Sequence, residues 1–100
     1  RCCICGVDEI SLLNASHIKP WSQSDEHEKL DSGNGLLLCP NHDKLFDRGY
    51  ISFDDDGRIL VSARLSEASR VFMNIDKKMH IQVTEDNKDY LRYHRKFVFL

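Results

Sequence analysis

The chain has one hundred residues, 41% of them hydrophobic and 30% charged, with a formal charge of −2, which describes one ordinary soluble domain with a modest core. No apolar run approaches the ~18 residues that span a bilayer, and no signal-peptide pattern is present in these residues. The mild acidity argues against a freestanding nucleic-acid binder, which is usually basic, but not against an enzyme acting on nucleic acid held by something else. A start at Arg1 rather than Met is expected of a piece of a larger modular protein.

In chain order, Cys2-Cys3-Ile4-Cys5-Gly6 reads as a metal knuckle, two thiols followed by a glycine that permits a tight turn. Leu12 to Ile18 reads as a short strand ended by Pro20. The polar, aperiodic stretch 22–33 reads as an exposed loop. Leu36-Leu37-Leu38 is too short for a helix and fits a buried strand. A helix is predicted from just after Cys39, with Pro40 in its first turn, Leu45 and Phe46 facing inward and Gly49 ending it. Residues 50–53 and 58–62 form a predicted hairpin around Asp56-Gly57, and its acidic triplet 54–56 is read as a solvated turn rather than a calcium site. A short helix is predicted around Ser66 to Asn74. Asp86 to Phe97 is a stronger helix, with Tyr90, Leu91, His94, Phe97 and Val98 compatible with one inward face.

The four cysteines are Cys2, Cys3, Cys5 and Cys39. Three within four residues make poor geometry for a disulfide framework, which points to a reducing compartment, the cytoplasm, and to metal ligation. Cys2-x2-Cys5 and Cys39-x2-His42 supply three thiolates and one imidazole, the donor set of a closed structural zinc site. Such a metal leaves no position for substrate and would staple the N-terminal turn to the central helix. Cys3 can in principle replace Cys2, although the Cys-x-Cys spacing is less usual. The bland alternative is free N-terminal thiols and a Cys39 that merely packs.

Ser16-His17-Ile18-x-Pro20-Trp21, Asn34-Gly35-Leu36-x-Leu38-Cys39-x-x-His42 and Leu45-Phe46-Asp47-Arg48-Gly49 together resemble the HNH nuclease family, in particular the HNH domains of bacterial restriction-type endonucleases. The tail Tyr90-Leu91-x-Tyr93-His94-Arg95-x-x-Val98-Phe99 is also similar to the end of those domains. The resemblance runs over nearly the whole chain and is strongest from 15 to 53. It implies an α+β fold: a small, zinc-stapled ββα-metal domain, treble-clef-like, with an added hairpin and a C-terminal helix.

By that resemblance His17 is the general base that deprotonates the attacking water, a role suited to a side chain with an ordinary pKa near working pH. Asn34 would fix the imidazole, or the loop carrying it, through backbone hydrogen bonds. One divalent cation, magnesium or manganese, would stabilise charge on the phosphate and the departing 3′ oxygen. Many family members carry Asp immediately before the catalytic histidine as a metal ligand; here Ser16, a far weaker ligand, stands there. With Cys39 and His42 assigned to zinc, the third motif position falls on Asp43, and Asp47 lies four residues on along the same helix face. Asp43, with Asp47, would then supply the missing carboxylate. Without zinc, His42 would take the catalytic-metal role.

The expected substrate is DNA, with sequence or modification recognition in another domain. Double-strand cleavage would need two such sites, which a homodimer would supply. Lys19, Lys44, Arg48 and the Arg92, Arg95 and Lys96 cluster are candidate phosphate contacts. Two other readings stand beside this one: a zinc-stabilised nucleic-acid- or protein-binding module without catalysis, which the serine at position 16 favours, and a thiol redox protein, for which the usual strand–helix surroundings are missing.

Overall fold

Two short antiparallel hairpins, each backed by a helix, organise the chain in a computed structural model that describes all residues 1–100. The first hairpin joins β1 (Asn14–His17) to β2 (Gly35–Leu38) with Asn14 opposite Leu38 and His17 opposite Gly35. Side chains alternate across a strand, so Asn14, Ser16, Leu36 and Leu38 share one face and Ala15, His17 and Leu37 the other. The first face is the inner one: Ser16, Leu36 and Leu38 are buried, whereas Leu37 is exposed.

Helix α2 (Pro40–Asp47) starts at Cys39, whose extended backbone provides its N-cap, and Pro40 sits where a missing N–H costs nothing. Leu45 and Phe46 turn inward as predicted. Gly49 ends the helix at φ +81°, and a Cβ there would collide with the carbonyl of Val98, so the position demands glycine twice over. The second hairpin pairs β3 (Ile51–Phe53) with β4 (Ile59–Val61), and the Asp54 carboxylate closes its turn by accepting from the N–H groups of Asp56 and Arg58. That is a turn-building role for the acidic triplet.

The stretch 22–33 is not simply an exposed loop. It contains α1 (Glu26–Leu30), five residues held by a capping box in which Asp25 accepts from Glu28 N–H and Glu28 accepts from Asp25 N–H. Reciprocal capping satisfies two otherwise orphaned donors and lets a very short helix form without an apolar stripe. Helix α3 (Glu67–Phe72), capped by Ser66, lies within the range predicted for a short helix.

Helix α4 (Glu85–Phe97) begins with a Thr84–Asn87 capping box. Its inward residues are Asn87, Leu91 and His94, while Phe97 is 63% exposed and rests on Tyr93 instead of facing the core. At 3.6 residues per turn Phe97 lies about 80° round the helix from Asn87, which carries it off the inner face. The core itself is formed by Ile18, Leu38, Phe46, Ile51, Phe53 and Leu91, all fully buried. Burial of each such side chain contributes roughly 1.5–3 kcal/mol. No helix is long and apolar enough to cross a membrane.

His94 bolts three of these elements together. Its ring stacks on Phe46 at 3.9 Å and 2° between planes, Nε2–H donates to the Phe46 carbonyl at 2.8 Å, and Nδ1 accepts from the Ser52 hydroxyl at 2.8 Å. Burial holds its pKa down at about 4, so the ring is neutral and both nitrogens are used.

Candidate active site and metal centre

Cys2, Cys5, Cys39 and His42 converge so that their ligand atoms all lie within 4.8 Å of one another. The N-terminal turn is drawn into place by Cys3 N–H donating to the Leu37 carbonyl and Gly6 N–H to the Cys2 carbonyl. Cys39 and His42 arrive together because they are the N-cap and first turn of α2. Cys3 is not part of the cluster.

The donor set fits a tetrahedral ion. Zinc–sulfur bonds of about 2.3 Å set tetrahedron edges of about 3.6–3.8 Å; two of the six edges here are 3.9 Å, between the Cys5 and Cys39 sulfurs, and 3.8 Å, from Cys2 Sγ to His42 Nδ1, with the whole set inside 4.8 Å. His42 Nε2–H donates to the Met73 carbonyl at 2.9 Å, which fixes the tautomer and leaves the Nδ1 lone pair facing the sulfurs. Burial pushes the Cys2 thiol up, but hydrogen bonds from the Cys5, Cys39 and Ile4 backbones favour its thiolate and, with the His42 ring 3.8 Å away, bring the group down to about 6. Cys5 is pushed up to about 11 by burial and by the neighbouring Cys2 and Cys39 sulfurs, the like-charge crowding that a bound dication relieves.

His17 ends β1 on the outer face of the first hairpin, half-buried. Its Nε2 lies 3.0 Å from the carbonyl of Lys29 in α1. A carbonyl only accepts, so Nε2 carries the proton and Nδ1 keeps its lone pair in the neutral ring. The imidazole lines a cleft of about 300 Å³ together with Lys29, Asp31, Asn34, Gly35 and Leu37.

Asn34 is buried, and every polar atom of its amide is used. Nδ2 donates to the Glu28 carbonyl at 3.0 Å and more weakly to Ser24 Oγ at 3.4 Å, while Oδ1 accepts from Lys19 N–H at 2.8 Å. Helix α4 presses on the Asn34 turn: Asn87 Nδ2 donates to the Gly33 carbonyl at 2.8 Å and Tyr90 Oη to Asp31 at 2.7 Å. A Cβ on Gly33 would come within 2.6 Å of Asp86 Cβ, so only glycine permits this approach.

On the inner face, Asn14 Nδ2 donates to Asp43 Oδ2 at 3.2 Å across the β1–α2 seam. Alternation puts Ser16 on the same face as Asn14. Asp47 is exposed one turn beyond Asp43. His17, Asp43 and Asp47 are not gathered into a ligand-sized cluster like the cysteine group. Lys19 and Arg95 are already engaged within the fold: Lys19 pairs with Glu28 at 2.8 Å, and Arg95 donates to the Phe53 carbonyl and to Asp55, each at 2.8 Å. Lys44 and Arg48 remain exposed on α2. The residues that spacing did not reveal are Asn14, which engages Asp43, and Lys29, which acts through its backbone; only the two-residue step from Asn14 to Ser16 carried a signal.

A family model described as HNH endonuclease matches residues 2–54, the span holding the cysteine cluster, His17, Asn34 and α2. The chain belongs to the HNH endonuclease family. Among solved structures this HNH domain is similar to a "Modification dependent TagI restriction endonuclease", with a TM-score of 0.64 and 26% identity over 96% of this chain. The match covers 32% of that protein, so the HNH domain spans about a third of its structural relative. No curated protein sequence matches it.

Proposed function

We propose that residues 1–100 are a single nuclease domain that hydrolyses DNA phosphodiester bonds with His17 as general base. The observation that carries this reading is the His17–Lys29 hydrogen bond, which commits Nε2–H to a carbonyl and leaves Nδ1 as a proton acceptor at a cleft. His17 takes a proton from water at Nδ1 as that water attacks phosphorus. Asn34 holds the Lys19–Lys29 loop against which the imidazole is braced. Asp43, with Asp47 and Ser16, would hold a catalytic magnesium or manganese ion, hard oxygen donors being suited to either. When bound, that cation stabilises negative charge on the phosphate and on the 3′ oxygen. Asn14 leaves one Asp43 oxygen and the remaining lone pairs free for this. The structural metal of Cys2, Cys5, Cys39 and His42 would be zinc.

DNA recognition is assigned to a domain elsewhere in a longer cytoplasmic protein of restriction type. In support, the structural relative is about three times the length of this domain. A cavity of about 470 Å³ that shares Asp31 with the His17 cleft is, moreover, lined by six carboxylates against Lys19 and His27, an unfavourable surface for phosphates. A homodimer would supply the second site for cutting both strands.

The test combines cleavage of supercoiled plasmid with calorimetric metal titration of the zinc-loaded protein. The expected result is nicking or cleavage that requires magnesium or manganese and a second, weaker cation site that disappears in Asp43→Ala. Zinc binding with neither cleavage nor a second site would instead favour the non-catalytic binding module that Ser16 suggests.

A further inference from the structure

One hydrogen bond does not aim a ring. With Nε2–H tied to the Lys29 carbonyl, the His17 imidazole can still swivel about that bond, and the Nδ1 lone pair, which lies in the ring plane, would sweep with it. The structure contains a second restraint. The Trp21 indole lies beside His17 with centroids 5.3 Å apart and planes at 76°, an edge-to-face packing that resists rotation of either ring. Lys29, the residue whose carbonyl holds Nε2, also lays its ammonium over the Trp21 ring, 4.5 Å from the centroid. His17, Lys29 and Trp21 thus form a closed ring of three contacts. Trp21 is 57% exposed, so its burial adds little to the core. Its position follows from Pro20, which starts the turn Trp21–Gln23 three residues after β1 ends.

We propose that Trp21 is a positioning residue for the general base: it sets the plane of the His17 imidazole and so the direction of Nδ1, with the Lys29 ammonium pinning the indole in return. This rests on the assignment of His17 as general base. An exposed tryptophan beside His17 could instead stack on DNA, and the two roles move different quantities. Aiming a base acts on the chemical step; contacting DNA acts on binding.

The experiment compares wild type, Trp21→Phe and Trp21→Ala in the zinc-loaded full-length protein, measuring kcat, KM and DNA affinity on a plasmid substrate, together with proton–carbon NMR of the His17 ring. For Trp21→Ala, kcat is expected to fall about 10- to 100-fold, the scale of a misaimed catalytic group, with KM and affinity within about twofold. Trp21→Phe should recover most of the loss. The wild-type His17 ring signals should carry a ring-current displacement that shrinks in Phe and vanishes in Ala. A raised KM with unchanged kcat would overturn the proposal in favour of a DNA contact, as would wild-type kcat in Trp21→Ala. Should the wild type itself prove inactive, the nuclease reading fails separately. The clamp is then judged by NMR alone: a His17 ring environment unchanged in Trp21→Ala overturns it, and a lost displacement upholds the contact.

Discussion

His17 and Asn34 are joined through adjacent peptide carbonyls of α1: Asn34 Nδ2 donates to that of Glu28 and His17 Nε2–H to that of Lys29, both at 3.0 Å. The five-residue helix is therefore a bracket between the buried asparagine and the half-exposed histidine. Its own capping box and the Lys19–Glu28 ion pair keep the bracket stiff.

Asn34→Ala should break the bracket while leaving the metal cluster intact. It orphans the Glu28 carbonyl and Lys19 N–H in a largely buried setting, at a cost of about 1–3 kcal/mol. The melting temperature should fall by about 5 °C or more, and cleavage by about 10- to 100-fold through misplacement of His17. Zinc content measured by elemental analysis should not change. A wild-type cleavage rate in Asn34→Ala would contradict the bracket.

The cysteine cluster makes a separate prediction about metal stoichiometry. Elemental analysis should find one zinc per chain, lost in Cys39→Ser and kept in Cys3→Ser, since Cys3 lies outside the cluster and burial pushes its thiol up to about 12. Chelation should lower the melting temperature by at least about 15 °C, the effect of removing a ligand present at about a thousand times its Kd.

His94 predicts a pH dependence with a definite sign. Its folded pKa, about 4, lies below the unfolded value of 6.5, so between these the unfolded chain binds more protons and stability falls on acidification. The contribution is fully present above pH 6.5 and is lost progressively down to pH 4, about 3 kcal/mol in all. Zinc ligands also protonate on acidification, so the quantity to measure is the difference between wild type and His94→Gln in denaturant unfolding. That difference should shrink as pH falls from 6.5 to 4.

The parts of this fold written in local chemistry were legible in the sequence. Leu36 to Leu38 between a glycine and a cysteine, Pro40 opening a helix, and Asp56-Gly57 between two apolar runs each specify one short element. Cys2-x2-Cys5 with Cys39-x2-His42 specified the cluster that the fold gathers. What was not legible depends on tertiary context. Helix α1 has no apolar stripe and exists through its caps. The acceptor for His17 is a backbone carbonyl, which every residue possesses. Lys19 and Arg95 read as free cations until the folded chain brought Glu28 and Asp55 to them. Phe97 read as core because a hydrophobic residue near a helix end looks inward until the helix meets its neighbours.

The most direct test of the central claim is the rate of plasmid cleavage by His17→Ala beside wild type, in magnesium and in manganese, with zinc content and circular dichroism measured on the same samples. Wild type should show cation-dependent cleavage and His17→Ala a loss of at least about 100-fold, the scale of removing a general base, with zinc and fold unchanged. A purified His17→Ala protein that cleaves at the wild-type rate would contradict that claim.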